Sequence, residues 1–172
     1  MITLNKTMKS KKEYLTEIVE AIKSKQSNAK VKKLVVEMKH LGLDINSKRY
    51  RGRTLLHYAV KYHNVKIVSF LVKSGVNLEI CDDDYQTPLH YAISLNDSQM
   101  VKELINEGAD VNATSSLELT PLHIAITTSN LEIVKILVAH GADKDLVDEK
   151  NLRPIDYAID EKNTQIIEYL SK

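Results

Sequence analysis

Thr87-Pro88-Leu89-His90-Tyr91-Ala92 decides the reading of this chain, because it returns at a fixed interval. Thr54-Leu55-Leu56-His57-Tyr58-Ala59 precedes it and Thr120-Pro121-Leu122-His123-Ile124-Ala125 follows it, with Arg153-Pro154-Ile155-Asp156-Tyr157-Ala158 as a fainter fourth copy. The starting positions 54, 87, 120 and 153 are 33 residues apart. Gly42, Gly75, Gly108 and Gly141 keep the same interval, so two unrelated landmarks share one period.

The residue types explain the unit. Thr54, Thr87 and Thr120 are good helix N-caps, and Pro88 and Pro121 stand at the first helical position, where a missing N–H costs nothing. Ala59, Ala92, Ala125 and Ala158 keep this first helix slim enough for a close neighbour. A second cap recurs at Asn64, Asp97, Asn130 and Asn163, ahead of runs whose apolar residues share one helical face. Those residues are Ile67, Val68 and Leu71; Met100, Val101 and Leu104; Ile133, Val134 and Leu137; and Ile166, Ile167 and Leu170. Gly75, Gly108 and Gly141 follow each second helix, where a left-handed backbone favours glycine. Each unit therefore reads as helix, turn, helix, glycine and an extended hairpin finger. Such a unit cannot bury its apolar face alone, so stability comes from stacking.

The period and the T-P-L-H-x-A pattern resemble the ankyrin repeat. The resemblance covers residues 49–172 and, in degraded form, the preceding segment. It implies an all-α repeat solenoid, an ankyrin stack of helix-turn-helix units with β-hairpin or loop fingers. One domain over 11–172 is expected, with a capping helix pair at 11–47 and repeats at about 49–81, 82–114, 115–147 and 148–172. In the capping pair, Tyr14, Leu15, Ile18, Val19 and Ile22 form the stripe of a helix at 11–23. Ser24 to Asn28 reads as a polar loop, and residues 30–42 as a second helix. Residues 1–10 read as a frayed basic terminus. The last unit ends at its second helix with Ile167 and Tyr169 near its outer face, and two readings stay open there: a sealed cap, or a surface that pairs with another molecule.

Composition sets the outer limits. The chain has 172 residues, 43% hydrophobic and 27% charged, enough apolar side chain for a core. No apolar run approaches the roughly 20 residues that span a bilayer, and the basic start lacks the apolar stretch of a secretory signal. An intracellular setting follows, with the cytoplasm expected and delivery into a host cell as the alternative. The net charge of +1 hides an asymmetry. Residues 1–53 hold 14 Lys plus Arg against 5 Asp plus Glu, or +9, and residues 54–172 hold 10 against 18, or −8.

Catalytic and metal chemistry finds little support. His57, His90 and His123 lie one per repeat, and the resemblance gives them a structural task, bonding to the backbone of neighbouring fingers. His40, His63 and His140 are scattered. No C-x-x-C or H-x-x-x-H spacing exists, nor a G-x-S-x-G, Walker or G-x-G-x-x-G motif. The glycines are already explained by helix termini. Cys81 is the only cysteine, so no internal disulfide forms. Beside Asp82, Asp83 and Asp84 its thiol pKa should rise, which suits a buried or idle residue. Asp82–Asp84 itself reads as a solvated hairpin tip. No enzyme activity, metal or cofactor is expected. Nucleic acid is disfavoured because eleven of the fourteen cations at the front are Lys and the body is acidic. The basic helix at 11–23 has its apolar stripe committed to capping the stack, which argues against a membrane-surface helix.

The resemblance implies a groove formed by finger tips and the exposed side of the first helices. Carried over by position, it gives Tyr50, Arg51, Arg53 and Tyr62, then Asp83, Asp84 and Leu95, then Leu117 and Leu119 as partner-binding residues. Packing of Leu117 and Leu119 between adjacent fingers is an equal alternative. Leu104 followed at the sixth position by Asp110-Val111-Asn112 resembles an asparagine-hydroxylation sequence, with Asn112 as acceptor or else as a turn-stabilising residue. The function expected is non-enzymatic protein–protein interaction by a monomer, with a protein partner and no small-molecule substrate. A mimic or effector acting on a host regulatory protein, and a regulatory subunit of an enzyme, are the alternatives.

Overall fold

The computed structural model describes residues 9–24 and 28–172. The expectation for residues 1–10 falls, for 1–8, outside the described residues. Its last residue has a defined place: the Ser10 amide donates to Glu13 Oε2 (2.6 Å) and the Glu13 amide to Ser10 Oγ (3.3 Å). This reciprocal cap starts α1 (Lys11–Ser24). Of the expected polar loop, Ser24 ends α1, Asn28 opens α2 (Asn28–His40), and residues 25–27 lie outside the described residues. α2 also stops two residues before Gly42, and the Gly42 amide donates to the Lys39 carbonyl at 3.0 Å.

Four helix pairs follow: α3 (Leu55–Lys61) with α4 (Val65–Lys73), α5 (Pro88–Ser94) with α6 (Ser98–Asn106), α7 (Pro121–Thr127) with α8 (Leu131–Ala139), and α9 (Pro154–Asp160) with α10 (Thr164–Leu170). The odd-numbered helices pack side by side in one layer and the even-numbered ones in a second. One apolar core runs between them, from Ile18, Ile22 and Met38 to Ile166 and Leu170. Ala59, Ala92, Ala125 and Ala158 are wholly buried. Their carbonyls accept the amides of Asn64, Asp97, Asn130 and Asn163, the caps of the second helices. Each such cap then accepts, through its side chain, the amide three residues on: Ile67, Met100, Ile133 and Ile166. Gly75 shows why glycine closes the pair: at φ +91 its own amide reaches Val72 and the next amide reaches back to Leu71.

The repeats are joined laterally by histidine. Thr54 N–H donates to His57 Nδ1 (3.3 Å), which leaves the proton on Nε2, and Nε2 donates to the Gln86 carbonyl of the next finger (3.0 Å). His123 repeats this, accepting from Thr120 N–H (3.2 Å) and donating to the Leu152 carbonyl (3.1 Å). His90 accepts from Thr87 N–H in the same way (3.4 Å), but no hydrogen bond to its buried Nε2 closes, although the Ala113 and Leu119 carbonyls lie near. In α9 the box is rebuilt from charge: Arg153 N–H donates to Asp156 Oδ2 at 2.8 Å.

Burial pushes all three imidazoles below their ordinary pKa, His90 to about 4. A neutral histidine in the fold and a protonatable one in the unfolded chain make stability fully present above the unfolded value of about 6.5 and progressively lost as pH falls toward the folded value. For His90 the loss between about pH 6.5 and 4 amounts to about 3 kcal/mol. Urea titrations across that window should show the decline, and a His90→Gln chain should show a smaller one. Equal pH dependence in both chains would contradict the assignment.

Candidate functional site

The fingers are loops rather than β-hairpins; no strand occurs among the described residues. Each is closed by one bond across five residues: Arg49, Asp82, Ser115 and Asp148 donate their amides to the carbonyls of Arg53, Gln86, Leu119 and Leu152 (2.8, 2.9, 2.9 and 3.0 Å). Two turn types alternate. In fingers 2 and 4 an aspartate opens the turn: Asp82 Oδ1 accepts from Asp84 and Gln86, and Asp148 Oδ1 from Lys150 and Leu152. Only Tyr85 or Asn151 is then left-handed. Arg49 and Ser115 offer no such acceptor, and fingers 1 and 3 turn through two left-handed residues, Arg51 and Gly52 or Leu117 and Glu118. The types dock as pairs, with Asp83 N–H on the Arg51 carbonyl (3.0 Å) and Glu149 N–H on the Leu117 carbonyl (3.2 Å). Among the described residues no such bond joins fingers 2 and 3, the junction at which His90 Nε2 is unpaired.

Gly52 is not a helix-end residue. It is buried at φ +66, and a Cβ there would lie 2.7 Å from the Asp83 nitrogen, so the finger 1 to finger 2 contact requires glycine. Asp82 is likewise not part of a solvated tip; it is 3% exposed and anchors its turn. Cys81 is half-buried, and burial ahead of the Asp82 and Glu79 charges raises its thiol pKa, with Lys48 opposing.

The expected contact residues separate into three groups. Tyr50, 81% exposed, and Leu117 and Leu95, at 51% and 44%, present large apolar surfaces to solvent. Arg51 and Asp84 are exposed but bonded to each other (2.6 Å), and Asp83 is exposed beside them. Tyr62 is half-buried with Lys61 Nζ 5.6 Å from its ring centroid, and Leu119 is half-buried. Arg53 does not belong with them. It is 8% exposed, its Nε donates to Asp82 Oδ2 (3.4 Å), and its guanidinium lies 4.5 Å from the Tyr91 ring centroid. It fastens finger 1 to repeat 2. Tyr157 serves finger 4 comparably, its hydroxyl donating to Asp148 Oδ2 at 2.6 Å; burial first, and then Asp148, hold that phenol up at about 12.

Asn112 spends both ends of its amide on the next repeat. Nδ2 donates to the Gly141 carbonyl (3.3 Å) and Oδ1 accepts from Asp143 N–H (2.8 Å). Asn46 accepts from Asn77 N–H, and Glu79 from Asp110 N–H, at corresponding places. The Leu104, Asp110-Val111-Asn112 motif carries no sign of this ladder, whose partners lie about 30 residues away.

Fingers and first helices together enclose a cavity at each end of the face. One of about 550 Å³ is lined by Lys11, Lys12, Leu15, Lys48, Arg49 and Tyr50. The other, of about 410 Å³, is lined by Lys150, Leu152, Asp156, Tyr157, Ile159 and Asp160. Of the first, only Tyr50 is found by carrying the groove over by position; the +9 charge of the front is the signal for its four cations. Among the described residues no group of His, Cys, Asp and Glu is placed to hold a metal, and no helix is long and apolar enough to cross a membrane.

A family model described as ankyrin repeats in three copies matches residues 18–115 and 97–172. A search of curated proteins finds no match.

The two cross-finger ion pairs should differ in weight. Arg53→Ala strips a buried carboxylate of its cation and should cost about 3 kcal/mol in urea unfolding. Arg51→Ala breaks a half-exposed pair and should cost about 1 kcal/mol or less. Equal costs would contradict the assignment of Arg53 to the interior.

Proposed function

Because this chain belongs to the ankyrin-repeat family, we propose that it is a non-enzymatic interaction protein that holds a protein partner along its fingers and first helices. Ankyrin repeats are generally protein–protein interaction modules. The observation that carries the reading is the exposure of Tyr50, Leu95 and Leu117 on the finger side, beside residues that packing fixes in every repeat. Large apolar side chains held out in water on rigid loops suit the few residues that dominate an interface. Tyr62 and Leu119 extend this surface, and Arg51, Asp83 and Asp84 give it a polar margin.

Catalysis is a poorer fit to the same residues. The three repeat histidines are spent on caps and neighbouring fingers, and burial keeps them neutral near pH 7, with Nδ1 already accepting a backbone N–H. That leaves them poorly placed for proton transfer.

The test is recovery of a stoichiometric protein partner after proximity labelling in the native cell, followed by binding to the purified full chain. Replacing Tyr62, Leu95 and Leu117 together by alanine should weaken that complex by about 2 kcal/mol or more, about thirtyfold in Kd, with the melting transition retained. Undiminished binding by the folded triple variant would refute the surface.

A further inference from the structure

We propose that the cavity between α1 and finger 1 receives an acidic segment of a protein partner, with an apolar side chain on Leu15 and Tyr50 and flanking carboxylates on the surrounding cations. This rests on the partner-binding reading above and adds the chemistry of what binds. Lys11, Lys12, Lys48 and Arg49 converge on one space of about 550 Å³. Among the described residues none of the four has a carboxylate partner; the ion pairs of this end use Lys9, Lys23, Lys30, Lys33, Arg51 and Arg53 instead. Glu13, the first acid in the sequence, is held by Ser10.

Arg49 supplies the second line of support. Its side chain is half-buried and lines the cavity, and a carboxylate bound to a guanidinium makes a charge-assisted bond, stronger than a neutral one. Nη1 itself, out of contact with water and without a hydrogen bond, is closed to that carboxylate as the side chain stands. The cavity is also not purely polar. Leu15 is buried in its wall and the Tyr50 ring stands 81% exposed at its edge, so an apolar side chain has a surface to cover.

The same surroundings select against a nucleic acid. Next along the fingers come Asp83 and Asp84, then Glu118 and Glu149, all exposed, and the chain from residue 54 on carries −8. A long polyanion would leave four cations and run directly into that charge, whereas a short acidic segment ends within the cavity.

The test uses the full-length chain and a fluorescein-labelled peptide in which two glutamates flank a leucine on each side. Its glutamine analogue, inorganic phosphate and a short oligothymidylate are the comparisons. Anisotropy should show binding of the glutamate peptide, none of the glutamine analogue, and weakening with added salt. Arg49→Gln and Lys12→Gln should each weaken it about tenfold, while Lys73→Gln, on the far layer, should not. Melting curves establish that the variants fold, and Lys12, exposed on α1, keeps the test informative if Arg49→Gln does not fold. The proposal is overturned if the peptide fails to bind, if both cavity variants bind it as the parent does, or if phosphate or the oligothymidylate binds more tightly. If the peptide fails while the alanine variant at Tyr62, Leu95 and Leu117 loses its partner, this inference alone falls. If the peptide binds and that variant keeps its partner, the broader surface falls instead.

Discussion

One imidazole ring serving two repeats is the contact from which the rest of this structure follows. His57 and His123 each accept a hydrogen bond on Nδ1 from the backbone N–H of their own helix cap and donate one from Nε2 to a carbonyl 29 residues further on. The bond fixes the start of a helix and the height of the next finger at once, so register passes from unit to unit along the stack. It works only while the ring is neutral and buried. The alanine column lets the helices approach, the histidines set their alignment, and the apolar stripes of both layers then close over one continuous core.

From that alignment the fingers acquire their order. An aspartate at the finger's first position folds the turn around its carboxylate, and the neighbouring finger, lacking one, turns through two left-handed residues. The types dock as 1 with 2 and 3 with 4, which leaves a seam between fingers 2 and 3 where His90 Nε2 has no partner. Charge is partitioned on the same frame. Arg53 and Asp82 neutralise each other inside, Arg51 and Asp84 outside, and four further cations, Lys11, Lys12, Lys48 and Arg49, gather between α1 and finger 1. The gradient seen in the sequence thus narrows to one basic cavity at the start of an otherwise acidic face.

The period, the caps and the second-helix stripes were legible because each depends on residues near one another in the chain, repeated often enough to stand out. The cap of α1 is legible too, in Ser10 and Glu13, but it lacks the Thr-Pro pair that opens α5 and α7. Arg53 was misplaced because its column changes character along the stack: the finger after it covers Arg53, whereas Leu152, on the fourth finger, is 38% exposed. Gly52 and Asp82 were misread for a related reason, since their roles come from a neighbouring finger or from a turn that a single position does not reveal. The basic cavity needed three-dimensional closeness of Lys12 to Arg49, which no local motif records.

The tautomer of the repeat histidines tests this account most directly. Long-range proton–nitrogen spectra of the imidazoles at about pH 7.5 should show His57, His90 and His123 neutral, with the proton on Nε2. Protons on Nδ1 alone would mean that the rings do not accept from their caps and that His57 and His123 do not donate to the next finger, and imidazolium signals would mean that Nδ1 does not accept from the cap; either would contradict the lateral bridge on which the stack is built.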